Sequence, residues 1–94
     1  MNIKETYKYI RKNDLKGGKH KKSKYHIAFD ILRFRICGIV YGDWGYGDIL
    51  EYKNKKWIVY YKERDTISMY KEFDNEKQAC EEYLKRLKDL KYIR

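Results

Sequence analysis

The chain has 94 residues, 43% of them hydrophobic, 17% aromatic and 39% charged, with a formal net charge of +9. That length supports one domain, 1–94, with a single modest core, and the apolar and aromatic content excludes a disordered chain despite the charge. No apolar run approaches the roughly 20 residues that span a bilayer and no charged-then-apolar leader opens the chain, so a cytoplasmic protein with no membrane partner is expected.

Residues 2–15 suit a short N-terminal helix. Asn2 and Glu5 have capping-box spacing, and Ile3, Tyr7 and Ile10 recur at i, i+4, i+7 to form one apolar stripe. Gly17 and Gly18 end this helix inside a basic connector, 16–24. Charge is uneven along the chain. Residues 1–25 hold nine Lys/Arg against Glu5 and Asp14, a local +7, whereas 26–94 hold fourteen against twelve. The chain therefore divides into a basic helix and connector, 1–24, that contributes little to stability, and a folded remainder, 25–94. Lys16, Lys19, Lys21, Lys22 and Lys24 are the candidate phosphate contacts for a nucleic-acid partner.

Residues 25–37 leave two readings open. Ile27, Ile31 and Phe34 fit a helical stripe, while 32–36 alternates as a strand does; strand from about 32 to 41 is favoured, bent at Gly38. The run Gly42, Asp43, Trp44, Gly45, Tyr46, Gly47, Asp48 reads as a turn-rich loop. After it come the short run 49–52, a turn at 53–56, and a strand at 57–61 rich in β-branched and aromatic residues. Ile67, Met69 and Phe73 then share one face of a further strand. Asn75 and Gln78 pair as a cap for a C-terminal helix whose stripe is Ala79, Cys80, Tyr83, Leu84, Leu87 and Leu90, with Glu81, Glu82, Lys85, Arg86, Lys88 and Asp89 facing water. These elements predict an α+β fold: an antiparallel sheet of three to four strands packed against a C-terminal helix, with a short N-terminal helix. Trp57, Val59, Phe73, Tyr83, Leu84 and Leu87 are the expected core.

Catalysis finds little support. His20 and His26 flank a lysine run without the spacing of a metal site, and neither Ser23 nor Ser68 has a base and an orienting group within reach in sequence. The glycines at 42, 45 and 47 lack the spacing of a phosphate-binding loop and stand among carboxylates. No enzyme activity, cofactor or metal is expected. Cys37 and Cys80 read as buried, reduced thiols. Between Ile36 and Tyr52 there is no Lys or Arg, only Asp43, Asp48 and Glu51 among Trp44 and Tyr46. Aromatic anchors interleaved with carboxylates suit a protein partner, so Asp43, Trp44, Tyr46, Asp48 and Glu51 are the candidate partner-binding residues. Inward folding of Trp44 and Tyr46 to cap the sheet is the other reading.

The run Trp57, Val59, Tyr60, Tyr61, Glu63, Arg64, followed by Phe73, Asp74, Glu76, Ala79, Cys80, Tyr83 and Leu84, resembles a pattern in small bacterial immunity proteins of polymorphic and contact-dependent toxin systems. It covers about a third of the chain, and it departs from the pattern at Asp65, where such proteins often carry glycine. The resemblance implies a stoichiometric inhibitor that binds a cognate toxin domain and needs no cofactor. The alternative is a small basic nucleic-acid-binding or phage-encoded inhibitor protein.

Overall fold

The structure, a computed structural model, describes residues 1–13 and 25–94. In chain order the elements are α1 (Ile3–Asn13), β1 (Tyr25–Asp30), β2 (Arg35–Val40), β3 (Asp43–Lys53), β4 (Lys56–Glu63), β5 (Thr66–Phe73) and α2 (Glu76–Asp89). The five strands form one antiparallel meander, β1-β2-β3-β4-β5. The architecture is α+β, with five strands rather than three or four.

The extra strand comes from 25–30. The helical stripe does not describe 25–37. The strand expected over 32–41 is present as β2 but starts at Arg35, because 31–34 forms a turn and the flanking residues pair as a hairpin, Asp30 opposite Arg35 and Tyr25 opposite Val40. The glycine-rich run is not a loop either. Only Tyr41 and Gly42 turn the chain, both in the left-handed region (φ 52° and 83°), and β3 starts at Asp43. Gly45 and Gly47 also have positive φ, at 92° and 69°, and the β2–β3 register shifts where they occur. Glycine admits the extra residues of such bulges without a Cβ penalty, so the strand continues through the irregularity. The turn at Asn54 and Lys55 is found as expected, with both residues left-handed (φ 54° and 64°) as a two-residue hairpin turn requires.

Both helices pack against one face of the sheet. The main core joins Ile3 and Ile10 of α1, Ile36, Leu50 and Val59 of the central strands, and Ala79, Cys80, Tyr83, Leu84 and Leu87 of α2. Val59, Tyr83, Leu84 and Leu87 are buried as expected, while Trp57 and Phe73 are half-buried at its margin. Strand alternation sends Cys37, Ile49, Ile58 and Tyr60 to a second cluster on the face opposite the helices. The two thiols are buried and free, one in each cluster.

Helix α1 belongs to the core and is more than an appendage. The Asn2 Oδ1 accepts from the Glu5 N–H (2.8 Å) and the Glu5 carboxylate accepts from the Asn2 N–H (3.0 Å), a reciprocal capping box. A third acceptor arrives from α2, whose Glu76 carboxylate takes the Ile3 N–H at 2.8 Å. Its inward face is Ile3, Thr6 and Ile10, with Tyr7 half-buried beside them. In β5, alternation fails at Met69 (φ 54°), where the pairing with β4 shifts, and Ile67 and Met69 are exposed.

Asn75 caps α2 as expected, its side chain accepting from the Gln78 N–H at 3.1 Å. Two residues of α2 depart from expectation. Arg86 is buried, with its Nε–H donating to Glu82 at 2.7 Å, and Leu90 is the exposed C-cap. The chain reverses through Lys91 (φ 61°), and the Tyr92 N–H donates to the Leu87 carbonyl (2.9 Å) while the Lys91 N–H donates to that of Lys88 (3.0 Å). This is the Schellman pattern, and it returns Ile93 rather than Leu90 to the core. Lys91 occupies a position where glycine carries no steric cost. Lys91→Gly is therefore expected to stabilise by about 0.5–1 kcal/mol, seen as a Tm a few degrees higher; a lowered Tm would show that Lys91 side-chain contacts outweigh its backbone strain.

Candidate protein-binding surface

The hairpin of β1 and β2 carries the most exposed apolar residues of the structure. Asp30, the last residue of β1, accepts the Arg33 backbone N–H at Oδ1 (3.2 Å) and the Arg35 Nε–H at Oδ2 (3.0 Å). Burial pushes its carboxyl up, but the hydrogen bonds and charges of Arg35 and Arg33 outweigh that and hold it below the ordinary value. Burial likewise lowers the Arg35 guanidinium, and Asp30 with Glu51 more than offsets this. Arg35 stands opposite Glu51 in the β2–β3 register, its Nη1 3.9 Å from the Glu51 carboxylate. A Cβ on Gly45 would lie 3.3 Å from the Arg35 guanidinium, so glycine there leaves Arg35 its path across the sheet.

With its polar needs met by Asp30, the turn at 31–34 presents Ile31 at 81% and Leu32 at 97% exposure. Phe34 packs edge-on against Phe29 (centroids 5.6 Å apart, planes at 89°) and stays partly exposed. Trp44 reaches the same place from β3 and is 49% exposed. Leu32, Arg35 and Trp44 share the walls of an open depression of about 520 Å³. A large indole and two branched aliphatic side chains held in water by a rigid hairpin suit protein docking, since apolar anchors fill pockets on a partner.

The candidate residues read from the sequence do not converge on this surface. Asp43 and Trp44 are exposed at the start of β3, and Trp44 therefore does not cap the core. Tyr46 is half-buried in a different depression, with Tyr61 and Tyr92. Glu51 is half-buried and faces Arg35. Asp48 departs most from expectation: it is 2% exposed, and the Tyr83 hydroxyl donates to its backbone carbonyl at 2.8 Å. Burial pushes the Asp48 carboxyl up to about 6, with the Arg86 charge pulling the other way. The acidic run is thus no open acidic patch, because Arg35 and Arg86 come to it from other elements. Lys16, Lys19, Lys21, Lys22 and Lys24 lie outside the described residues.

Ile31 and Leu32 escaped sequence reasoning. The signal was present in Asp30, a turn-capping residue type, between two runs that alternate. Among the described residues no three His, Cys, Asp or Glu side chains are grouped to hold a metal, and no helix is long and apolar enough to cross a membrane. No protein-family model, curated protein or solved structure matches this chain.

Proposed function

We propose that the chain is a protein-binding inhibitor of the immunity type, neutralising a cognate bacterial toxin by one-to-one association, and that it docks through the β1–β2 turn and Trp44. The observation that carries this reading is the cluster of Leu32, Ile31 and Trp44, large apolar side chains kept in solvent on a paired hairpin. The resemblance of 57–64 and 73–84 to immunity proteins supplies the class of partner; Trp57, Val59, Phe73, Ala79, Cys80, Tyr83 and Leu84 of that pattern build the core and its margin, so they make the scaffold and the turn makes the contact. Asp43 is the carboxylate of the acidic run left exposed next to Trp44, and it suits a basic rim on the partner.

The test is growth rescue and affinity against a toxin domain sought among the genes that neighbour this one. Leu32→Asp and Trp44→Ala are each expected to weaken the complex by at least about 2 kcal/mol, roughly 30-fold. Leu32→Asp alters a residue with almost no contacts, so its Tm should stay close to that of the parent. Undiminished affinity in both variants would remove the turn and Trp44 from the interface. Failure of the wild-type chain to bind or rescue would remove the immunity reading itself.

A further inference from the structure

A second depression, of about 560 Å³, opens where the β2–β3 turn meets the end of β4. Four tyrosines line it, Tyr41, Tyr46, Tyr61 and Tyr92, together with the carboxylates of Asp43 and Glu63. They converge from three parts of the chain: the turn and start of β3, the end of β4, and the segment after α2. The turn that ends α2 fixes Tyr92 through its N–H to the Leu87 carbonyl. Burial and the nearby Glu63 and Asp48 charges push the Tyr61 hydroxyl up, and burial with Asp48 and Tyr61 does the same to Tyr92. Both rings are therefore neutral at physiological pH and present the negative π-face that attracts cations.

The charged groups that line the depression balance, and a buried carboxylate lies behind them. Lys62 and Arg64 complete the wall and balance Asp43 and Glu63. Asp48 remains, next to the Gly47 that lines the depression and close enough to Tyr61 and Tyr92 to raise both hydroxyls. It is 2% exposed and its Oδ2 has no hydrogen-bond partner. Arg86 faces Asp48 and offsets part of its charge, but it is hydrogen-bonded to Glu82 and its own Nη1 has no partner among the described residues, so no hydrogen bond joins that atom to the Asp48 Oδ2. A buried carboxylate behind a set of tyrosine rings is an arrangement suited to organic cations.

We propose that this tyrosine pocket binds an alkylammonium or guanidinium group, held against the ring faces of Tyr41, Tyr46, Tyr61 and Tyr92 and drawn by Asp43, Glu63 and Asp48. The site lies apart from the β1–β2 turn, with Asp43 at the border of both surfaces, and stands whether or not the chain neutralises a toxin. An arginine or lysine side chain of a bound protein and a small quaternary amine offer the same chemistry.

The experiment titrates the isotopically labelled full chain at constant ionic strength and follows the tyrosine ring resonances by NMR. The probes are tetramethylammonium chloride, N-acetyl-arginine amide, N-acetyl-lysine amide and, as an anion, sodium phosphate. Saturable shifts of the four rings with a cation are expected. Saturation with the capped amino acids points to a protein side chain, and with tetramethylammonium alone to a small quaternary ligand. Tyr41 is 78% exposed with φ 52°, a conformation asparagine tolerates, so Tyr41→Asn removes one wall and leaves the fold intact. It should weaken cation binding about two- to fivefold. Linear, unsaturable shifts, saturation by phosphate instead of cations, or a Tyr41→Asn variant that titrates like the parent would each overturn the proposal.

Discussion

Ile3→Ala is expected to destabilise the domain by about 2–5 kcal/mol, as truncation of a fully buried core side chain does elsewhere. Ile3 is 1% exposed, in the first turn of α1, and packs in the cluster that contains Ile10, Cys80, Tyr83 and Leu87. Truncation leaves a void between α1 and α2 that two anchored helices cannot collapse to fill. The anchors are the Glu76 carboxylate on the Ile3 N–H and, at the other end of α1, the Arg94 N–H on the Asn13 carbonyl at 3.0 Å. A domain of this size has only about 5–15 kcal/mol in total, so the loss should show in urea denaturation as a large drop in midpoint at unchanged slope. Lys8→Ala, on the exposed side of the same helix, is the control and should change stability by no more than about 0.5 kcal/mol. A loss below about 1 kcal/mol for Ile3→Ala would restore the view of 1–24 as an appendage.

That view followed from reading charge where burial decides. The basic composition of 1–25 is real, but in α1 it is the charge of the solvent side, and three inward residues make the helix structural. Local rules were legible and held: the Asn2–Glu5 box, the Asn75 cap and the Asn54–Lys55 turn each depend on residues within four positions of one another. Properties that depend on which strands become neighbours were not legible. The segment from Ile36 to Tyr52 lacks cations along the chain, yet pairing of β2 with β3 sets Arg35 opposite Glu51, and packing of α2 sets Arg86 near Asp48. The exposed turn was hidden for a similar reason. Ile31 and Leu32 have the composition of core residues, and only the hairpin register reveals that the chain reverses there. Leu90 leaves the helical stripe because it is the cap residue and its successor Lys91 turns left-handed, which a lysine at that position does not announce.

Asp48→Asn is expected to stabilise the protein by about 3 kcal/mol above pH 7 and to have almost no effect near pH 4. Burial raises the folded-state carboxyl to about 6, while in the unfolded chain it sits near its ordinary value of 3.8. Below about pH 4 the group is protonated in both states and contributes no difference. Between about 4 and 6 the folded state holds more protons than the unfolded one, so wild-type stability falls as pH rises through that window. Above it the penalty is complete, and about two pKa units amount to about 3 kcal/mol. Asparagine is neutral throughout and resembles the protonated acid in shape, so the variant should lose this slope. Denaturant unfolding of both proteins at pH 4, 5, 6, 7 and 8 gives the two profiles. Parallel profiles would show that Arg86 or a bridging water satisfies the carboxylate fully. A native aspartate that lowers stability at neutral pH calls for a compensating use, since such costs persist where function needs them. The tyrosine pocket supplies one: if the buried charge is kept to draw a cation against Tyr61 and Tyr92, the same Asp48→Asn protein should be more stable and bind tetramethylammonium or capped arginine several-fold more weakly at pH 7.5, about 1 kcal/mol of lost attraction. Greater stability with undiminished cation binding would separate the two roles and leave Asp48 a purely structural burden.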